Sequence, residues 1–152
     1  MKEHADHYDA DLLLRLYDLR REEKLRQARE WFYREFQADS VDDFFERFPM
    51  GSKENDYYRM VVGYWEMASS IVKRGLINEE LFFENSGELW SVWAKIKQFV
   101  PEARTMWKNP HIYQNLETIA QKYEHWMEAR APGALGLMSE RLKTVAAKGK
   151  DK

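Results

Sequence analysis

The segment from Tyr57 to Trp93, YYRMVVGYWEMASSIVKRGLINEELFFENSGELWSVW, decides the fold that we predict for this chain. Wound as an α-helix at about 100° per residue, its first part places apolar side chains over most of the circumference. A helix this apolar must be covered on more than one flank, so we expect a central helix over about 54–74. Gly75 then ends that helix, because glycine adopts the left-handed conformation without steric cost.

Helix-capping residues precede the other apolar segments at the expected distances. Ser52 precedes the predicted central helix and Asn78 precedes the short segment 79–83, each followed by acidic residues in the first turn. Ser40 opens the stretch SVDDFFERFP, whose apolar face predicts a short helix docked on the bundle. Alternating β-branched runs and Asn-Gly or Asp-Gly turns are missing. We therefore predict an all-α fold, an irregular bundle of about five to seven helices in one domain over 1–152.

The region 9–36 has two apolar stripes that do not lie in line. Its first stripe is made of leucines, and the second, which runs from Leu25 to Phe36, lies about 150° away on a continuous helix. Either the helix breaks near Arg20, or its two halves bury against different partners. The first alternative agrees with the usual length of globular helices. The second would make 9–36 an arm through which the chain forms a homodimer.

Prolines mark helix boundaries in the second half of the chain. The apolar stripe over 86–100 predicts a helix, and Pro101 either kinks this helix or starts the next one. Asn109 followed by Pro110 is a strong start signal for a helix over 110–130.

Beyond residue 130 the helical pattern weakens. Ser139 can cap a last helix that ends at about Ala147, and the final residues KGKDK are charged and lack an apolar face. We therefore place the core in 9–130 and expect 131–152 to form a weak helix and a disordered basic tail.

Composition excludes several classes of function. The chain of 152 residues has a formal net charge of −2 and no cysteine, which excludes disulfides, thiolate metal sites and a cysteine nucleophile. The basic residues from Arg20 to Arg29 alternate with acids, so we predict no nucleic-acid binding. No apolar run reaches the roughly 18 residues of a membrane span, and the charged start does not resemble a signal peptide. We expect a cytoplasmic protein, since cysteine usage fits a reducing compartment.

The motif WEMASSIVKRGLINEEL over 65–81 is followed by Trp90 and Trp93, by Pro101-x-x-Arg104, and by Pro110 and the run Asn115-Leu116-Glu117. This pattern, together with the opening LYDLRREEKLRQAREWFYREF, is similar to that of a bacterial helical family known only as a domain of unknown function. The resemblance covers roughly 12–130 and implies an all-helical fold, but no activity, substrate or cofactor. Some members of the family look membrane-tethered at the N-terminus, a segment that we do not expect here.

The motifs of the common enzyme classes are missing from the sequence. No Glu-x-x-His pair occurs, although a di-iron site in a helical bundle requires one. No Gly-x-Ser-x-Gly elbow and no phosphate-binding glycine loop occur. His4 and His7 could share a helix face, but two ligands in a fraying terminus make a poor metal site. We therefore predict a non-enzymatic protein with no catalytic residue, metal or cofactor.

An arginine in an apolar setting gives the sharpest local hypothesis. If the helix continues past Pro101, Arg104 projects near the apolar stripe, and a buried arginine requires a carboxylate partner. We predict a structural ion pair between Arg104 and either Glu66 or Glu117. The alternative is that both glutamates are solvated, because each lies on the polar face of its helix and buried glutamate is rare.

Aromatic residues make up 14% of the chain and permit a second hypothesis. An apolar pocket could lie between the helices, lined by Trp65, Trp90, Trp93, Trp107 and Tyr123. Close packing of the same rings into the core is the competing interpretation. The function that we predict is a helical protein-interaction module, whose partner is an unknown protein or a second copy of the chain. The alternative function is binding of a small apolar ligand in the aromatic interior.

Overall fold

Helices make up nearly all of the regular structure. The computed structural model describes residues 2–150, with side chains through 148, and within that range it contains nine α-helices and no strand. In chain order they are α1 His7–Arg20, α2 Glu23–Arg34, α3 Val41–Arg47, α4 Lys53–Lys73, α5 Glu79–Asn85, α6 Glu88–Ile96, α7 Val100–Met106, α8 Gln114–Arg130 and α9 Ala134–Lys150. None of the helices in this range is long and apolar enough to cross a membrane. The predicted all-α fold is confirmed.

The predicted number of five to seven helices is wrong, because the two segments whose continuity the sequence left open are each divided into separate helices. The region 9–36 breaks after Arg20, as the first of the two alternatives proposed. The predicted helix over 86–100 ends at Ile96, so Pro101 lies in the first turn of α7. A proline is tolerated there because the N–H it lacks would have no partner within the helix.

The helix predicted over 110–130 starts later than expected. Asn109 does not cap it, since the Asn109 side-chain oxygen accepts the backbone N–H of His111 at 3.0 Å and closes a local turn. The residues after this turn remain non-helical until Gln114, where α8 begins. The prediction was wrong because the same Asn-Pro signal can start either a helix or a turn.

The last helix is longer than predicted. It begins at Ala134 rather than Ser139 and continues to Lys150, through part of the tail that we expected to be disordered. Residues 151 and 152 lie outside the described range. Leu142 in α9 is buried, so the core extends beyond the predicted limit of residue 130.

The capping predictions are confirmed at three helix starts and one helix end. The side-chain oxygens of Ser40, Ser52 and Asn78 each accept the backbone N–H three residues later, at 2.9–3.2 Å. Gly75 follows α4 with a φ of +75°, the left-handed conformation predicted for it. These short polar side chains satisfy backbone N–H groups that the first turn of a helix leaves without partners.

The helix α4 carries the apolar surface on which much of the chain packs. It lies against α2, α6 and α8. Its buried residues are Asn55, Tyr58, Val61, Val62, Tyr64, Trp65, Ala68, Ser69 and Val72. A strip through Arg59, Gly63 and Met67 is exposed, and the role of α4 as the central helix stays a prediction.

The helix α2 uses its apolar face within the chain. Leu25, Ala28, Trp31 and Phe32 are buried, and the helix packs against α4 and α9. The second half of the predicted dimer arm is therefore covered by the chain itself. Most of the exposed large apolar side chains of this region lie on the first half, α1, and α2 exposes Tyr33.

A lysine from another helix binds the end of α2. The Lys95 ammonium group on α6 donates to the backbone carbonyl oxygens of Phe32, Tyr33 and Phe36 at 2.6–3.1 Å. The last carbonyl groups of a helix lack partners within the helix and carry partial negative charge. Lys95 therefore supplies both the missing donors and a favourable charge, and it joins α6 to α2.

Two buried polar contacts help to fix α1 to the rest of the fold. The buried Asp9 carboxylate accepts the backbone N–H of Asn78 at 2.8 Å, at the start of α5. At the other end of α1, the Tyr64 hydroxyl donates to the Leu16 carbonyl oxygen at 2.6 Å. Such bonds between buried groups are costly to break because the freed partner stays without water.

We predict that the stability of the protein falls steeply above pH 10, partly because of Tyr64. Burial raises the pKa of Tyr64 to about 12, whereas an unfolded tyrosine ionises near 10. Between about pH 10 and 12 the unfolded chain has released this proton and the folded chain has retained it, so the folded state loses relative stability as pH rises. The measurement is the free energy of unfolding in denaturant, taken as a function of pH.

The substitution Tyr64→Phe should make this fall shallower, by up to about 1.4 kcal/mol per pH unit, which is the value for one proton. The matched control is Tyr8→Phe, since the Tyr8 side chain is 77% exposed. An unchanged slope in Tyr64→Phe would contradict the prediction.

Candidate functional site

An open apolar cleft lies between α3, α4, α7 and the loop 107–113. Its volume is about 540 Å³. Six aromatic side chains line it: Phe44, Phe45, Tyr58, Phe99, Trp107 and Tyr113. The remaining lining residues are apolar Val41, Met50, Ala103 and Ile112 and polar Asn55, Arg59, Glu66 and His111.

The aromatic rings of the cleft also pack on one another. Phe44 packs edge-to-face on Tyr58, with 4.6 Å between the ring centroids, and edge-to-face on Phe45, with 5.1 Å. The ring centroids of Phe45 and Trp107 are 5.7 Å apart. Burial raises the pKa of the Tyr58 hydroxyl well above its usual range. The same cause raises the pKa of Tyr113. Both phenols are therefore neutral at physiological pH, and the rings present an uncharged wall.

The loop on one side of the cleft is held in an unusual backbone conformation. Lys108 and Tyr113 have φ of +51° and +52°, the left-handed region that residues with a Cβ rarely adopt. Each such residue costs of order 1 kcal/mol and persists only when its surroundings fix it. The surroundings that fix this loop are two charged side chains, one on α4 and one on α7.

Glu66 on α4 caps the start of α8. The residue before α8 is Tyr113, whose side chain makes no capping bond. One carboxylate oxygen of Glu66 accepts the Leu116 backbone N–H at 2.7 Å. The other accepts the side-chain amide of Asn115 at 2.8 Å and its backbone N–H at 3.3 Å. A carboxylate at a helix N-terminus is also favoured by the helix dipole, so Glu66 joins α4 to α8 and fixes the end of the loop.

Arg104 on α7 holds the loop from its other side. Its Nε donates to the Ile112 carbonyl oxygen at 3.0 Å, and its Nη2 lies 2.6 Å from a carboxylate oxygen of Glu117 on α8. One guanidinium group therefore joins α7, the loop and α8. The planar fork of donors on arginine suits this role, because its N–H groups point in fixed directions.

The structure separates the two glutamates that the sequence offered to Arg104. It brings Glu117 to Arg104, whereas Glu66 binds the start of α8. The Arg104 and Glu117 side chains are 20% and 29% exposed, so their pair lies at the edge of the core. The interpretation of Glu66 as a solvated residue missed its role as a cap, since no local motif indicates a cap that comes from a distant helix.

The five aromatic residues predicted to line one pocket do not meet in one place. Trp107 is half exposed and lines the cleft, while Trp65 lines a separate cavity of about 280 Å³ beside α1. Trp90, Trp93 and Tyr123 are buried in the packing around α6 and α8. The predicted single pocket is therefore wrong. Helical periodicity places side chains on a face, but it does not say which faces meet.

Five of the six aromatic residues of the cleft were absent from the predicted pocket. Phe44 and Phe45 were assigned to the face that docks α3 on the bundle, and Tyr58 to the apolar face of α4. Phe99 was placed at the edge of its stripe. Tyr113 gave no signal, because its place in the cleft depends on a left-handed backbone that the sequence does not reveal.

These features define an all-helical protein with an open aromatic cleft. Within the described residues, no group of three or more His, Asp or Glu side chains is placed to hold a metal ion. The chain belongs to the family described as Domain of unknown function (DUF4760), whose sequence model matches residues 6–126. The resemblance noted from the sequence is thereby confirmed. No curated protein and no solved structure matches the chain.

We predict that Glu66→Ala lowers the free energy of unfolding by about 1–2 kcal/mol, the usual effect of removing a helix cap. The backbone N–H of Leu116 loses its acceptor, so hydrogen exchange at the first turn of α8 should become faster than in the wild-type protein. Chemical denaturation and exchange read by mass spectrometry measure both effects. The matched control is Glu84→Ala, an exposed glutamate of α5. Equal behaviour of the two variants would contradict the assigned cap.

Proposed function

We propose that this protein is a non-enzymatic binding protein that holds a small apolar molecule in the aromatic cleft. The open cleft is the feature that supports this function. Its volume of about 540 Å³ falls within the range of about 300–1,000 Å³ typical of small-molecule sites. Its wall is mostly aromatic and apolar, with a few polar groups, which is the composition that such sites share.

The walls of the cleft are fixed before a ligand arrives. Glu66 and Arg104 hold the loop 107–113 from two sides, and the aromatic rings support one another. A site that is already ordered loses less conformational entropy on binding, so more of the contact energy appears as affinity. The preformed walls therefore favour binding of a ligand to an existing cleft over a mode of binding in which the loop must first fold around the ligand.

A second candidate function is protein interaction through α1, which the exposed apolar residues of that helix favour. Tyr8, Leu14 and Leu19 are 77%, 62% and 54% exposed. At about 100° per residue, Tyr8 and Leu19 share one side of α1 and Leu14 lies on another, so the interface that we propose surrounds much of this helix. In this proposal the partner is a second copy of the chain. The interface is centred on α1, because the apolar face of α2 is covered within the chain.

We also propose that the protein has no enzymatic activity, binds no cofactor and is located in the cytoplasm. All three rest on the sequence, namely on the missing catalytic motifs and the missing cysteines.

We predict that the neutral aromatic probe tert-butylbenzene binds the cleft saturably. The Trp107 indole N–H resonance and the Ala103 amide resonance should shift together during a titration followed by NMR. Ala103 lines the cleft, so Ala103→Met fills part of its volume and should weaken binding about tenfold, which is about 1.4 kcal/mol.

The matched control for this experiment is Thr105→Met, which adds a side chain of similar size on the exposed face of the same helix. It should bind the probe as the wild-type protein does. If the probe fails to bind the wild-type protein, or if both variants bind it as well as the wild type, the cleft is not the proposed site.

For the second candidate, we predict that light scattering at high protein concentration returns a dimer. Leu14→Glu places a charge on the exposed face of α1 and should return a monomer, because an unpaired charge is costly to bury in an interface. Leu76→Glu is the control, since Leu76 is 53% exposed but lies outside α1. A wild-type monomer at high concentration would exclude the dimer.

A further inference from the structure

We propose that the ligand of the aromatic cleft is an organic cation, an ammonium group carrying an apolar or aromatic body. This inference rests on the proposed function and names the chemical class of its ligand. Two independent features of the cleft support it, the aromatic composition of its wall and the charge of Glu66.

The first feature is the aromatic wall. Six of the fourteen lining residues are Phe, Tyr or Trp. The face of an aromatic ring carries partial negative charge, so it attracts a cation placed over it, and more strongly when water is excluded. A neutral apolar ligand gains contact area from these rings, whereas a cation gains contact area and this additional attraction.

The second feature is the carboxylate of Glu66, which lines the same cleft. The ion pairs found among the described residues do not include Glu66. Its partners are the N–H groups at the start of α8, and a helix N-terminus carries only about half of an elementary charge. Part of the negative charge of Glu66 is therefore not neutralised by the protein. A bound cation would neutralise it.

Arg59, the one arginine among the lining residues, does not cancel the preference of the cleft for a cation. Arg59 lies 2.6 Å from the Asp56 carboxylate, and the two side chains are 66% and 55% exposed. Its charge is paired and screened by solvent. His111 lies at the rim, where its Nδ1 is 2.9 Å from the side-chain oxygen of Gln114. The charge balance of the cleft thus favours a cation over an anion.

The test compares two probes of the same shape, phenyltrimethylammonium and tert-butylbenzene, which differ by a quaternary nitrogen in place of a carbon. Binding of each probe to the full chain is measured by NMR titration. We expect the dissociation constant of the cation to be at least tenfold lower than that of the neutral probe. Both probes should shift the Trp107 indole resonance, because both occupy the cleft.

Three variants assign the preference to its sources. Glu66→Gln removes the charge but keeps an oxygen that can accept from α8, and it should reduce the preference for the cation. Trp107→Leu removes a ring without touching the cap of α8, and it should weaken binding of the cation more than binding of the neutral probe. Arg59→Gln removes a like charge that is already paired and screened, so it should leave the affinities for both probes nearly unchanged.

The outcomes separate this inference from the proposed function. Equal affinity for the two probes would overturn the cation and leave the apolar binding site in place. A cation preference that is unchanged in both Glu66→Gln and Trp107→Leu would also overturn it. If neither probe binds, the inference and the proposed function fall together.

Discussion

The carboxylate of Glu66 is the group on which the arrangement of the cleft depends. Helix α8 follows a residue in a left-handed conformation and has no capping side chain of its own. Without an acceptor from elsewhere, its first N–H groups would be left unpaired next to the core, which is costly. Glu66 supplies that acceptor from the middle of α4 and so determines where α8 begins. The same bonds set the distance between α4 and the loop that forms the opposite wall of the cleft.

The loop 107–113 shows how local strain and long-range contacts are balanced. Its two left-handed residues are unfavourable in isolation, and Arg104 compensates by binding the loop and α8 at once. The loop is therefore held at both sides by side chains of the protein itself. If the cleft binds a ligand as we propose, little ordering is left to occur on binding.

The sequence allowed much of the fold to be predicted, and particular residues show why. The caps at Ser40, Ser52 and Asn78 are local, because donor and acceptor lie within one turn, so the sequence reveals them. The break after Arg20 is the first of the two alternatives that the out-of-line apolar stripes left open. By contrast, the start of α8 was misplaced because Asn109 bonds within a turn, whereas the acceptor for the backbone N–H of Leu116 comes from Glu66, fifty residues away.

The candidate site was harder to predict for the same reason. A period of 3.6 residues shows that Phe44 and Tyr58 are apolar-face residues, but it does not show that the two faces meet. The pocket predicted from tryptophans grouped residues that pack in different parts of the core. Only Trp107 belongs to the cleft. The size and hydrophobicity of a side chain indicate that it belongs to the core. The position of the cleft depends instead on how the helices are connected and on the left-handed backbone conformation of Tyr113.

The position of Lys95 has a consequence for chemical labelling of the protein. Its ammonium group donates to three carbonyl oxygens at the end of α2, so the amine must release these acceptors and lose a proton before an acylating reagent can react with it. The rate of acylation at Lys95 therefore depends on how firmly the last turn of α2 holds the amine, as well as on the reactivity of the amine itself.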